Sequence, residues 1–278
     1  MGEGARALGA GPHKVAMPAE LSQNRRRLLG RLRARKQRER EGAVLVEGLR
    51  AVSEAVAAGA RLRFAVTSPR LLSTDSGRAL AGELNAVADV TEVGDDELAA
   101  LSDTEQPQGV LAVAEQPAVP LAELPGQGVL LLLDAVQDPG HVGTLVRSAV
   151  AFGLGGVVCL DGTTDPWGAK TVRASAGTVF RLPVWSVRLD EIVSALDDRG
   201  AGIAVADAGG APVDGALARR PELLALVLGN EGAGVRPELR ERAQAVVAVP
   251  MRGPAESLNV AVAGSILMYE CTRSLEIR

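Results

Sequence analysis

A chain of 278 residues with 47% apolar side chains, a mean hydropathy of +0.13 and a net charge of −4 has room for one large or two ordinary domains, and is too apolar and too weakly charged to be disordered as a whole. Its longest uncharged runs, Ser148 to Leu160 and Ser257 to Tyr269, reach 13 residues, short of the roughly 18–20 that cross hydrocarbon, and no apolar signal core opens the chain, so a cytoplasmic location is expected. Cys159 and Cys271, with His13 and His141, give neither zinc-ligand spacing nor a disulfide framework, so no metal is expected and both thiols read as packed interior groups.

Charge is unevenly placed. Residues 1–40 carry +8 and residues 41–278 carry −12. Residues 1–20, with five of the chain's glycines and prolines between Gly2 and Pro12, are expected as a flexible tail. The cations then concentrate between Arg25 and Arg40. Leu21, Leu28 and Leu32 recur at helical spacing among them, which predicts one amphipathic helix with Arg25, Arg26, Arg27, Arg31, Arg33, Arg35, Lys36, Arg38 and Arg40 turned outward. Arginine forks suit phosphate, so this arm is a candidate nucleic-acid contact; the competing reading is a solvated helix face in a chain whose cations are arginine at 27 of 30 positions. No aromatic residue precedes Phe64, so the arm has nothing with which to stack on bases.

The pattern then alternates. Strands are expected at 43–47, 63–67, 89–93 and 109–114, with helices at 48–58, 77–88 and up to Leu101, which makes a small α/β unit spanning 21–115. Pro117, Pro120 and Pro125 break regular structure, so 116–127 reads as a linker to a second domain, 128–278. That domain opens on an unbroken apolar run, Val129 to Leu133, the mark of a strand buried on both faces of a parallel sheet. Helices at 139–152, 169–176, 190–199, 237–243 and 257–274 alternate with strands at 156–160, 182–187, 202–206, 223–228 and 245–249.

In open α/β sheets ligands bind beyond the carboxyl ends of the strands, and three loops there stand out. In the first, Asp134 to Arg147, Pro139, Gly140 and Gly143 open a helix whose free amides suit an anion, with Arg147 a turn further on; an ordinary strand–helix turn is the alternative. In the second, Leu228-Gly-Asn-Glu-Gly-Ala-Gly-Val235, glycines 229, 232 and 234 allow the backbone to wrap a flat ligand. No strand-linked GxGxxG precedes it, which argues against a nicotinamide-dependent oxidoreductase. In the third, Val249 to Val260, Pro250 and Pro254 stiffen the loop and Ser257 is expected to cap the last helix. Asn259 is then an amide inside an otherwise apolar helix that needs a partner.

Taken together, "DPGHVGTLVRSAVAFG", "LVLGNEGAGV" and "VPMRGPAESLNVAVAGSILMYE" resemble, in order, the three motifs of the SpoU (TrmH-type) branch of the SPOUT RNA methyltransferases. "NRRRLLGRLRARKQREREGAVLVEGLRAVSEAV" and "LSDTEQPQGVLAVA" resemble that family's RNA-binding accessory domain, so the likeness covers about 20–275. It implies an α/β fold, a mostly parallel sheet with a C-terminal trefoil knot preceded by a small α/β RNA-binding domain. It also implies a homodimer and S-adenosylmethionine-dependent 2′-O-methylation of a ribose in structured RNA, with ribosomal favoured over transfer RNA. By the same resemblance Arg147, Ser257 and Asn259 are catalytic, and Leu228, Gly229, Asn230, Glu231, Gly232, Val249, Met251, Ser257, Leu258 and Asn259 hold the cofactor, largely through backbone. RNA contacts fall on Arg25, Arg26, Arg27, Arg31, Arg33, Arg35, Lys36, His141 and Arg147. His141 departs from the family, which usually has asparagine there. The alternatives are a non-catalytic RNA- or ribosome-binding protein that keeps the fold, for which His141 is the sign of decay, and a methyltransferase that acts on a base.

Overall fold

The computed structural model describes residues 20–217, 221–254 and 257–273, so the expected tail falls, apart from Glu20, outside the described residues. The basic stretch forms two helices where the leucine spacing predicts one: α1 (Gln23–Arg31), capped by Ser22, and α2 (Arg35–Glu41), ended by Gly42 at φ +56°. Arg38 is the physical reason. Its guanidinium donates to the carbonyl oxygens of Leu32 and Arg33, both at 2.8 Å, taking up the free acceptors where α1 ends. It also pairs with Asp165 and is buried, so the expectation that every cation of this stretch faces outward is corrected.

A four-stranded sheet follows, built from β1 (Ala43–Glu47), β2 (Leu62–Thr67), β3 (Val90–Glu92) and β4 (Val110–Glu115) in the order β1-β4-β2-β3. β4 runs antiparallel to both its neighbours, and β2 and β3 are parallel. Helices α3 (Leu49–Ala57), α4 (Asp75–Val87) and α5 (Asp95–Leu101) connect the strands.

The second sheet has six strands, β5 (Gly128–Leu133), β6 (Gly156–Leu160), β7 (Val184–Val187), β8 (Gly202–Pro212), β9 (Leu223–Leu228) and β10 (Ala245–Ala248), in the order β10-β8-β9-β5-β6-β7. Every pairing in it is parallel. β5 and β9 form its centre, and Leu130 to Leu133 and Leu223 to Leu228 are buried on both faces, each leucine contributing about 1.5–3 kcal/mol by leaving water. The helices between these strands are α6 (Pro139–Ala151), α7 (Ala169–Ala174), α8 (Leu189–Asp197), α9 (Val213–Ala216) and α10 (Pro237–Glu241), with α11 (Val260–Thr272) closing the described chain. α11 lies tightly on the sheet: a Cβ at Gly264 would stand 2.4 Å from a Leu228 methyl and 2.6 Å from one of Leu145. β8 runs past the expected end at Ala206, because residues 206–210 bulge between its Val205–Val246 and Ala211–Val247 pairs.

The two sheets share one buried core. Val44, Val52 and Leu80 belong to the same apolar cluster as Val129, Leu145 and Val179. Three cross-links fix the contact: Arg38–Asp165, Arg173–Glu47 at 3.3 Å, and Arg181–Glu54. Glu47 is 2% exposed, and it also receives Thr104 Oγ1 at 2.7 Å and the Asp103 amide at 3.3 Å, so its charge is hydrogen-bonded throughout. Gly177, at φ +84°, sits where a Cβ would lie 2.5 Å from the Ala51 carbonyl oxygen. Backbone of one half therefore touches backbone of the other.

An Asp165→Ala variant leaves the Arg38 guanidinium buried without its carboxylate, and is expected to lose about 3–5 kcal/mol of unfolding free energy in urea titration followed by circular dichroism. The Arg38→Met, Asp165→Leu double variant is expected to recover a large part of that loss.

Candidate functional site

The carboxyl ends of β8, β9 and β10 surround an open cleft of about 800 Å³. Leu228, Gly229, Asn230, Glu231, Val249, Met251, Ser257, Leu258 and Asn259 all line it, and so does His141. Gly232 stands outside the lining and acts on the loop's shape.

The wall made by residues 229–234 is set by Asn230. Its backbone pairs with Gly234 in both directions, at 2.9 and 3.0 Å, and its Oδ1 accepts the amides of Gly232 and Ala233 at 3.0 and 2.9 Å. A Cβ on Gly229 would come within 2.3 Å of the Gly234 carbonyl carbon, so only glycine permits this fold-back. Asn230 Nδ2 donates at 2.9 Å to the carbonyl of Ala135, a residue at φ +58° just past β5. That backbone costs about 1–2 kcal/mol in a non-glycine residue, and the hydrogen bond across the strand ends helps to hold it. Beside it, Asp134 is 2% exposed and accepts the Arg236 amide at 2.8 Å and its Nε at 2.6 Å, which fixes the start of α10 against the end of β5.

The opposite wall was not legible as a site. Ala206, Asp207, Ala208, Gly210 and Pro212 of β8 line the cleft, brought there by the bulge. A run of small residues and glycines directly after a buried strand is the signal that points to them. Gly210 lies against β10, where a Cβ would meet the Val247 carbonyl carbon at 2.7 Å. Asp207 is the one acid of this wall, and the Arg240 guanidinium together with the Gly209 amide holds its carboxyl below the usual range.

At the mouth the expected cap is corrected. Asn259, not Ser257, is the N-cap of α11: its Oδ1 accepts the amides of Ala261 and Val262 at 2.9 and 3.3 Å, and the helix starts at Val260 rather than at Ser257. The amide is therefore outside the apolar helix, and its oxygen is satisfied by the cap. Ser257 is exposed and has no hydrogen bond to another described residue. Met251 and Leu258 are 38% and 39% exposed, apolar side chains left uncovered on the rim of a polar loop, which suits a ligand with a flat apolar part.

The first loop is also corrected. The Asp138 carboxylate already takes the His141 amide at 2.9 Å, so an acid occupies this helix start where an anion was expected. Gly143 serves packing: a Cβ there would lie 2.5 Å from that of Ala174 and 2.8 Å from the Ser175 amide on α7. Arg147 lies in the exposed stripe Gly140, Thr144, Arg147 of α6, outside the cleft lining and without an ion pair to any described residue.

The arginine arm lies apart from the cleft but at the same edge of the sheet, since Asp165, which holds Arg38, follows the carboxyl end of β6. Several of its cations are engaged within the fold. Arg25 pairs with Asp89 and lies 4.7 Å from the Phe64 ring centre, Arg26 pairs with Glu97, Arg31 with Glu41, Arg33 with Asp103 and Arg35 with Glu39. Arg27 and Lys36 have no partner among the described residues. Cys159 and Cys271 are buried, as expected, and burial pushes the Cys159 thiol up to about 12. No group that could hold a metal ion occurs among the described residues.

The family model described as the SpoU rRNA Methylase family matches residues 128–269, and the MRM3-like substrate binding domain matches residues 24–112. The 23S rRNA (guanosine(2553)-2′-O)-methyltransferase RlmP of Bacillus subtilis is 37% identical over 240 residues, 86% of this chain and 92% of that one. The 23S rRNA (uridine(2479)-2′-O)-methyltransferase of Streptomyces viridochromogenes is 32% identical over 251 residues, 86% of this chain and 85% of that one. Among solved structures, the AdoMet-bound rRNA methyltransferase from Sinorhizobium meliloti superposes with a TM-score of 0.79 at 28% identity, over 92% of this chain and 97% of that one. The SpoU methyltransferase AviRb from Streptomyces viridochromogenes in complex with AdoMet gives 0.77 at 28% identity, over 91% and 98%.

Proposed function

The chain belongs to the SpoU rRNA methylase family, and from that premise we propose that it transfers a methyl group from S-adenosylmethionine to a ribose 2′-hydroxyl of ribosomal RNA. The observation that carries the reading is the cleft itself, with its backbone-rich walls, glycine-permitted close approach and uncovered Met251 and Leu258 at the carboxyl ends of parallel strands. These features fit an adenosine with a polar tail. We assign its contacts to Leu228, Gly229, Asn230, Glu231, Val249, Met251, Ser257, Leu258 and Asn259, with Gly232 acting through the loop.

When bound, S-adenosylmethionine supplies an electrophilic methyl group on sulfur. The ribose 2′-oxygen would take that methyl, the sulfur leaving as the neutral thioether of S-adenosylhomocysteine and the hydroxyl proton passing to water at the open mouth of the cleft. The protein's task is then to hold oxygen and methyl in line, which by itself can remove roughly 7–11 kcal/mol of barrier, and to stabilise charge that develops on the oxygen. Arg147 is the group assigned to that charge. An exposed guanidinium with no partner among the described residues is suited to bind RNA phosphate or a forming alkoxide as a cation, and this favours an electrostatic role over that of a base. Ser257 and Asn259, at the cleft mouth, are assigned to orienting the nucleophile.

The cleft and the arginine arm lie at one edge of the sheet, an arrangement that suits a structured RNA laid across both. Within the arm, Arg27 and Lys36, which have no partner among the described residues, are assigned to phosphate, while Arg25, Arg26, Arg31, Arg33 and Arg35 divide their charge with acidic neighbours. The expected dimer and knot belong to the same proposal. Val262, Ile266 and Tyr269 stand 36–50% exposed along one face of α11, an apolar stripe suited to a second copy of this chain. A cytoplasmic location accords with the absence, among the described residues, of a helix long and apolar enough to cross a membrane.

Three outcomes test the reading. Arg147→Ala is expected to bind S-adenosylmethionine in calorimetry as the parent does while transfer of labelled methyl to ribosomal RNA falls by a factor of about 10³ or more; near-normal transfer overturns its role. Replacing Arg27 and Lys36 together by alanine is expected to lower the slope of log affinity against log salt by about 1 to 2 with stability unchanged, whereas Arg25→Ala and Arg26→Ala should register as lost stability. Ile266→Asp is expected to halve the molar mass in light scattering; a parent that is already monomeric overturns the dimer.

A further inference from the structure

The position at which this chain departs from its family joins all three loops of the cleft. His141 Nδ1 lies 3.2 Å from Glu231 Oε1, and its Nε2 lies 2.6 Å from Asn259 Nδ2. The roles of these atoms follow from the helix cap. Asn259 Oδ1 is committed to the amides of Ala261 and Val262, so the group facing the imidazole is the Nδ2 amine, which can only donate. Nε2 must therefore accept, and the ring proton sits on Nδ1, where it is donated to the Glu231 carboxylate. The line continues without a break, because Asn230 Nδ2 lies 3.4 Å from Glu231 Oε2 and donates to the Ala135 carbonyl past β5. One hydrogen-bonded chain thus runs from the end of β5 through loops 229–234 and 141 to the first turn of α11.

We propose that His141 is a positioning residue which, in its neutral Nδ1–H form, latches the Asn230–Glu231 loop to Asn259 across the mouth of the cofactor cleft. The inference rests on the cofactor reading above. A second proton would place an N–H on Nε2 against the Asn259 amine, two donors face to face, and the latch to α11 would open. The charged groups facing the ring are both carboxylates, Glu231 and Asp138, whose Oδ1 is 3.6 Å from Nδ1. Neither can replace the lost acceptor at Nε2. The histidine thereby gives the latch a dependence on pH that an uncharged amide side chain at this position would not confer.

The test is calorimetric titration with S-adenosylmethionine at about pH 8 and about pH 5.5, on the full chain and on His141→Ala and His141→Gln, with folding checked by circular dichroism. The parent is expected to bind about tenfold more weakly at the lower pH, the loss of roughly one hydrogen bond at a site open to water. His141→Ala should be as weak at pH 8 as the parent at pH 5.5 and indifferent to pH. His141→Gln, which keeps a donor and an acceptor but cannot take a proton, should bind more tightly than alanine at both values. An alanine variant that binds as the parent does, or an acid loss that persists undiminished in both variants, overturns the latch. A parent that binds no S-adenosylmethionine at either pH overturns instead the cofactor reading on which it rests.

Discussion

The cleft depends on one asparagine side chain. Asn230 binds two amides of its own loop and a carbonyl of the neighbouring strand end, so a single amide group closes residues 229–234 and ties β9 to β5. The closure is available only because position 229 has no Cβ. From it follow the place of Glu231, the reach of His141 and, through Asn259, the direction in which α11 leaves the site. A parallel sheet with buried leucines supplies the rigid edge, but the loop chemistry at that edge decides that there is a cleft there at all.

The arginine-rich stretch shows how charge is divided between fold and function. Read as a sequence it is a row of like cations, all equally free for phosphate. Folded, it contains an arginine buried against Asp165, several cations paired with acids, and two with no described partner. The buried one carries the architecture: Arg38, within the second helix, takes up the carbonyls where the first one ends and fastens both to the segment after β6. Glu47 does the reverse from the other side, a carboxylate of the small sheet held by Arg173. The small α/β unit is thereby fixed at a defined angle on the sheet that carries the cleft.

His141 brings the two themes together. At the level of motif it is a deviation, and deviations in a binding loop invite the reading of lost activity. At the level of hydrogen bonds it satisfies a donor on one side and an acceptor on the other, which is what a bridging group at that point has to do. The direction of each hydrogen bond shows how a histidine bridges the loops at this point.

The alternation of strands and helices, the buried central strands and the identity of the three loops were all legible in the sequence, because each is carried by local periodicity or by contiguous residues. So were the residues that the motif loops 228–231 and 249–259 give to the cleft, though not the wall built by β8. What the tertiary structure decided was every property that depends on a distant partner. Only it shows that Gly143 packs on α7 instead of facing a ligand, that Asn259 rather than Ser257 caps α11, that Ala206 to Pro212 bulge into the cleft, and that Arg38 is interior. The Asn259 cap is local, but for Gly143, the β8 bulge and Arg38 the role is set by atoms 31 to 127 residues away in the chain, and no periodicity along the sequence records which donor a fold will place opposite which acceptor.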